Sequence, residues 1–191
     1  MNFNNKLIKH SLIFVLITII LLSIPLIAMQ FTNEVKWTFF DFLVAGILLM
    51  GTGISFVLLA NKAQNKTYKL AIGLTLGTAL FMIWSNLAVG IIGDEDTPIN
   101  ILYLGVLGVG TIGSFISRFK PKGMSLTLIL TAISQVIVII IALFEGYGNT
   151  LNLLRELLLV NGFFIVLWLG AAYLFKKSSE ERNEVRLNPT S

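Results

Sequence analysis

Six apolar runs of about 20 residues, each closed by a short polar break, organise the chain between residues 11 and 175. The runs cover 11–29, 42–60, 70–92, 99–117, 124–144 and 157–175, and none contains Lys, Arg, Asp or Glu. A hydrocarbon core of roughly 30 Å needs about 20 apolar residues in a helical crossing. In lipid a helix also satisfies its own backbone groups, which an isolated strand cannot do. The pattern therefore predicts an all-α fold: a polytopic membrane bundle of six transmembrane helices, with residues 1–175 as a single bundle. Residues 176–191 follow as a polar cytoplasmic tail, mixed in charge and read as mobile.

The polar breaks alternate in sign. The first, third, fifth and last segments hold 12 basic residues: Lys6, Lys9, Lys62, Lys66, Lys69, Arg118, Lys120, Lys122, Lys176, Lys177, Arg182 and Arg186. Only Glu180, Glu181 and Glu184 oppose them there. The intervening breaks hold Glu34, Asp41, Asp94, Glu95, Asp96, Glu145 and Glu156 against Lys36 and Arg155. Lys and Arg in short loops stay cytoplasmic. Every break thus votes for a multi-pass membrane protein with both termini in the cytoplasm. The same rule accounts for the net charge of +4 without nucleic acid. The lipid bilayer is the first partner, with anionic phospholipid head groups at the cytoplasmic face. The first run could instead be a secretory signal. However, it is long for an h-region and no small-residue cleavage site follows it.

Phe42 to Leu58 aligns on the fourth run with a shift of 59 residues, matching Gly46, Gly51, Thr52 and Ser55 to Gly105, Gly110, Thr111 and Ser114. Two such hairpins, spans two and three on spans four and five, would form a parallel repeat about the membrane normal. Chance alignment of Gly- and Thr-rich apolar runs is the plainer reading. The small residues Gly51/Ser55, Gly110/Ser114 and Gly73/Gly77 each share a helix face and suit close helix packing.

Composition removes several chemistries. Charged residues make up 13% of the chain, against about 25% in soluble domains, so the surface is meant for lipid. Without cysteine there is no disulfide, thiolate or Cys-ligated metal, and His10 alone cannot build a His-rich site. No cofactor is expected, and no residue is assigned a catalytic or metal-binding role. The polar candidates within the membrane are Asn86, Gln135 and Asn161. An interhelical cluster of the three is conceivable, but their expected depths differ, with Asn161 near the outer end of the last span. Asp41 and Glu95, with Glu34, Asp94 and Asp96, could converge as an outer cation site. Helix capping explains them more simply: Thr38-x-x-Asp41 has the spacing of a capping box, and Asp96 or Thr97 can cap the fourth span ahead of Pro98. Trp37, Tyr103 and Tyr147 suit the outer interface, Tyr68 and Tyr173 the inner one, and Trp84 and Trp168 deeper packing.

Residues 25–37 (PLIAMQFTNEVKW), 86–96 (NLAVGIIGDED) and 118–124 (RFKPKGM) resemble segments of a group of small bacterial six-span inner-membrane proteins of unassigned function. The resemblance extends over about half of the chain. It implies a multi-pass protein of the bacterial cytoplasmic (inner) membrane and carries over no functional residue. The composition and pattern favour a structural or accessory membrane component, assembling as a homo-oligomer or with a membrane partner. The alternative is a small transporter or channel for a small solute or ion. A membrane enzyme has least support, because no positioned acid, base or nucleophile lies within the spans.

Overall fold

The computed structural model describes residues 3–32, 35–63, 65–94 and 96–187. Among them are six α-helices: α1 (Phe3–Phe31), α2 (Phe39–Ala60), α3 (Lys66–Ala88), α4 (Leu102–Ile116), α5 (Pro121–Phe144) and α6 (Leu151–Leu187). A 3-10 turn, Pro98–Ile101, leads into α4. Each α-helix, with that turn added to α4, supplies 19 residues or more of apolar length, enough to cross a membrane. The apolar surface left outside the packing is large: Phe144 is 87% exposed and Ile116 78%. Hydrocarbon is the medium that such a surface suits.

The chain divides into two compact units, Met1–Lys62 and Ala63–Ser191. In the first, α1 packs on α2. Gly46 lies against Leu22, and Gly53 against Phe14, so the two helices run antiparallel. A Cβ on Gly53 would stand 2.5 Å from the Phe14 ring. Thr18, Ala45 and Val57 are buried along the same seam.

In the second unit α6 packs on both α3 and α5, and α5 also packs on α4. The sequence of α6 explains its position. Leu157, Asn161, Phe164, Trp168, Ala171 and Phe175 are buried at steps of three and four, with Ala172 beside them, a single seam along the helix. Helix α5 must serve two neighbours and buries two faces. Thr127 and Thr131 meet the glycine face of α4, where Thr127 Cγ2 lies 2.6 Å from where a Gly113 Cβ would be, and Thr131 Oγ1 3.2 Å from that of Gly110. Close backbone approach of this kind supplies the dispersion contacts that replace the absent hydrophobic drive in lipid.

Two expectations about α6 change here. Helix α6 does not end at residue 175 but continues to Leu187, 37 residues or about 55 Å in all. The polar tail is therefore helical up to Leu187, and residues 188–191 lie outside the described part. Its Lys, Glu and Arg residues are good helix formers, and Ser178 is tied down by Asn65. The helix also begins earlier than its apolar run, at Leu151, which places Arg155 and Glu156 in its first turns. Within the first unit α2 packs on α1, and within the second α4 packs on α5. Gly46 meets Leu22 of α1, and Gly110 meets Thr131 of α5.

Candidate functional site

The centre of the second unit holds a closed chain of polar side chains. Asn161 on α6 accepts at Oδ1 from the Tyr103 hydroxyl (2.6 Å) and from Gln135 Nε2 (3.1 Å). Gln135 Oε1 accepts from Trp168 Nε1 at 3.1 Å. The Asn161 amide donates to the Leu157 carbonyl at 2.9 Å, and Gln135 Nε2 reaches the Asn161 carbonyl at 3.4 Å. Tyr103, Gln135 and Asn161 are fully buried, and Trp168 is 2% exposed. One network therefore joins α4, α5 and α6.

Two of the three intramembrane candidates meet in it, although unequal depths were expected. The earlier start of α6 removes the mismatch: Asn161 lies ten residues into α6, and Gln135 nine residues before the end of α5. At 1.5 Å per residue both sit about 14 Å from the same end. Tyr103 and Trp168 complete the network, and the sequence reading gave neither a polar role. Tyr103 does not anchor at an interface, because its hydroxyl finds Asn161 inside the bundle. Trp168 had one legible signal, since it follows Asn161 by seven residues and so shares its face.

The network contains no carboxylate, cation or imidazole. Each side-chain polar atom except the Tyr103 hydroxyl oxygen as acceptor is engaged in at least one hydrogen bond, and the ring N–H of Trp168 is spent on Gln135. Such an arrangement ties α4, α5 and α6 together in one register.

Asn86, the third candidate, stands apart. It lies near the end of α3, and its Oδ1 is buried without a hydrogen-bond partner among the described residues. After it comes a loop built on Asn100, a residue the sequence did not single out. Asn100 is 4% exposed. Its Oδ1 accepts from the Ile91 and Ile92 N–H groups, and its Nδ2 donates to the Ile92 and Asp94 carbonyls. The turns that allow this need Gly90 and Gly93, at φ +75° and +69°. Thr97 occupies the cap position before Pro98, but its hydroxyl donates back to Asp94 Oδ1 at 2.7 Å and does not cap the helix. Glu95, like Glu34, lies outside the described residues. Among the described residues no three of His, Cys, Asp and Glu gather as a metal-holding group.

Asp41 forms the capping box that its spacing predicts. Its carboxylate accepts from the Thr38 N–H at 2.6 Å and hydroxyl at 2.8 Å, and its own N–H donates to Thr38 Oγ1 at 3.3 Å. Asp41→Asn, which keeps an acceptor, should melt close to wild type, and Asp41→Leu should melt lower. Calcium should shift neither. A calcium-dependent rise in melting temperature that disappears in Asp41→Asn would show a cation site instead.

At the opposite end of the second unit three segments meet. Tyr68 on α3 donates its hydroxyl to the Phe119 carbonyl at 2.5 Å, and its ring packs edge-on against Phe175 of α6 at 5.2 Å. Tyr68 is thus 7% exposed, packed inside the bundle instead of at the interface, whereas Tyr173 is 63% exposed. Asn65 caps α3 by accepting from the Tyr68 N–H and also exchanges hydrogen bonds with Ser178. Thr67 donates to Glu181 at 2.8 Å. The basic segments around Lys66, Arg118 and Lys176 consequently share one end of the unit.

No family model, curated protein or solved structure matches this chain.

Proposed function

We propose that the chain is a structural or accessory component of the bacterial cytoplasmic membrane, with both termini in the cytoplasm. It acts by assembling with a second copy or with another membrane protein, and its basic ends rest on anionic phospholipid head groups. The observation that carries this reading is the closed Tyr103–Asn161–Gln135–Trp168 network, which spends the polar side chains of α4, α5 and α6 on one another. A transport path needs polar groups that face water or solute, and a coupled path usually needs an ionisable one. The orientation is supported by the charge alternation and by the meeting of three basic segments at one end.

Because the chain has no cysteine, single cysteines report cleanly. Thr131→Cys, fully buried one turn from Gln135, should resist a charged, membrane-impermeant thiol reagent in native membranes. Asn149→Cys should react from outside, and Lys122→Cys only after the membrane is opened. Rapid modification of Thr131→Cys would reveal a water-filled path and establish the transporter or channel reading. Reaction of Lys122→Cys in intact cells would reverse the orientation.

A further inference from the structure

We infer that the basic end of the second unit holds an anionic phospholipid of the two-phosphate, diphosphatidylglycerol type, seated over the Tyr68–Phe119–Phe175 node. The inference rests on the membrane reading above and gives that reading a specific partner. Four cations flank the node at one residue's distance: Lys69 beside Tyr68, Arg118 and Lys120 beside Phe119, and Lys176 beside Phe175. Neighbouring Cα atoms are about 3.8 Å apart, so contacts among the three node residues bring the four cation backbones within the reach of one two-phosphate head group. All four are exposed, and none is ion-paired with another described residue.

The turn that presents two of them is held in an unfavourable conformation. Arg118 and Phe119 are both left-handed, at φ 51° and 56°. Glycine would adopt that geometry far more easily than arginine. The turn is fixed by the Tyr68 hydroxyl on the Phe119 carbonyl and by the Phe119 N–H donating to the Ser114 carbonyl at 3.1 Å. Arg118 is therefore presented from a rigid support.

The surface next to the cations decides the chemical class. Leu70 follows Lys69, Phe115 and Ile116 precede Arg118 by one turn or less, and Tyr173 precedes Lys176 by three residues; all four are more than 60% exposed. Cations bordered by open apolar surface suit a ligand with phosphates at one end and acyl chains at the other. A free phosphate would leave the apolar part unused, and a nucleic acid would have to lie against it. Basic surfaces between helices at the cytoplasmic side are where such head groups bind.

The test is thermal unfolding of the full chain in phosphatidylcholine nanodiscs, with a few mole per cent of diphosphatidylglycerol added. The melting temperature should rise by about 5 °C, as for a ligand that binds only the folded state. Lys69→Gln/Arg118→Gln/Lys176→Gln should lose more than half of that rise, and Lys36→Gln/Arg155→Gln should keep it. An equal rise in the triple variant, or an equal rise with inorganic pyrophosphate, would overturn the site. Should the triple variant fail to fold, a photoactivatable diphosphatidylglycerol on the wild-type chain decides. Adducts within 66–70, 115–120 and 173–177 support the site, and adducts spread evenly over the lipid-facing surface refute it. The thiol labelling above is read without added lipid, so a failure of the membrane reading is distinguishable from a failure of this site.

Discussion

Asn161→Leu is expected to be the most damaging single substitution in the buried network. It removes the acceptor shared by Tyr103 and Gln135, strands a phenol hydroxyl, and leaves the Gln135 amide only its long bond to the carbonyl of residue 161, all in a fully buried site. Each abandoned buried polar group costs on the order of 1–3 kcal/mol, so a loss of about 3 kcal/mol is expected. The value will sit toward the lower end if the unfolded-in-membrane chain also finds partners for these groups. Gln135→Leu should cost less, about 1–2 kcal/mol, because Asn161 keeps the Tyr103 hydroxyl and only the Trp168 N–H is stranded. The double variant should be less destabilised than the sum of the singles, since the amide whose side-chain acceptor Asn161→Leu removes is then absent. Denaturant titration in mixed micelles measures all three. Strict additivity would mean that the two side chains do not act as one network.

The second large effect is steric. Gly113→Ala places a methyl 2.6 Å from Thr127 Cγ2 and 2.9 Å from its Oγ1, too close for α4 and α5 to keep their spacing. Overpacking of this kind costs about 1–3 kcal/mol, and Gly113→Leu should exceed it. Thr127→Ala in the same chain should recover a large part of the Gly113→Ala loss, because it removes both offending atoms. Gly105→Ala and Gly108→Ala on the same helix provide the contrast. Their Cβ positions meet nothing within 4 Å, so the helix propensity of alanine should leave them neutral or stabilised by up to ~1 kcal/mol. Thermal melts of Gly105→Ala, Gly108→Ala, Gly110→Ala and Gly113→Ala in detergent would sort the glycines of α4 into two that hold α5 and two that do not. Equal losses at Gly105 and Gly113 would contradict the packing of this helix pair.

Helix number, helix class and the sign of each polar break were legible in the chain, because each depends on runs of neighbouring residues. An apolar run of membrane length specifies a helix whatever it packs against. The Thr38–Asp41 capping box was legible for the same reason, since both partners lie within one turn. The exclusion of thiolate chemistry required only a census of residue types. Helix ends were less legible. Hydropathy marks where lipid stops, and α6 runs past that point at both ends because Arg155, Glu156 and the Lys/Glu-rich segment after Phe175 are compatible with helix in water.

Only the tertiary structure decided which helices pair and which polar groups meet. The run of glycines in α4 could not say that Gly110 and Gly113 face α5 while Gly105 and Gly108 do not, because a face acquires meaning only when a neighbour is placed against it. The likeness of the second and fourth runs named no partner for either helix: α2 packs on α1, and α4 on α5. Tyr103 and Tyr68 read as interfacial because tyrosine is amphipathic. Inside the bundle the same hydroxyl is satisfied by Asn161 Oδ1 in one case and the Phe119 carbonyl in the other, and both acceptors come from segments more than 50 residues away. Long-range pairing of that kind leaves no periodic trace in the chain, and so it was set by packing alone.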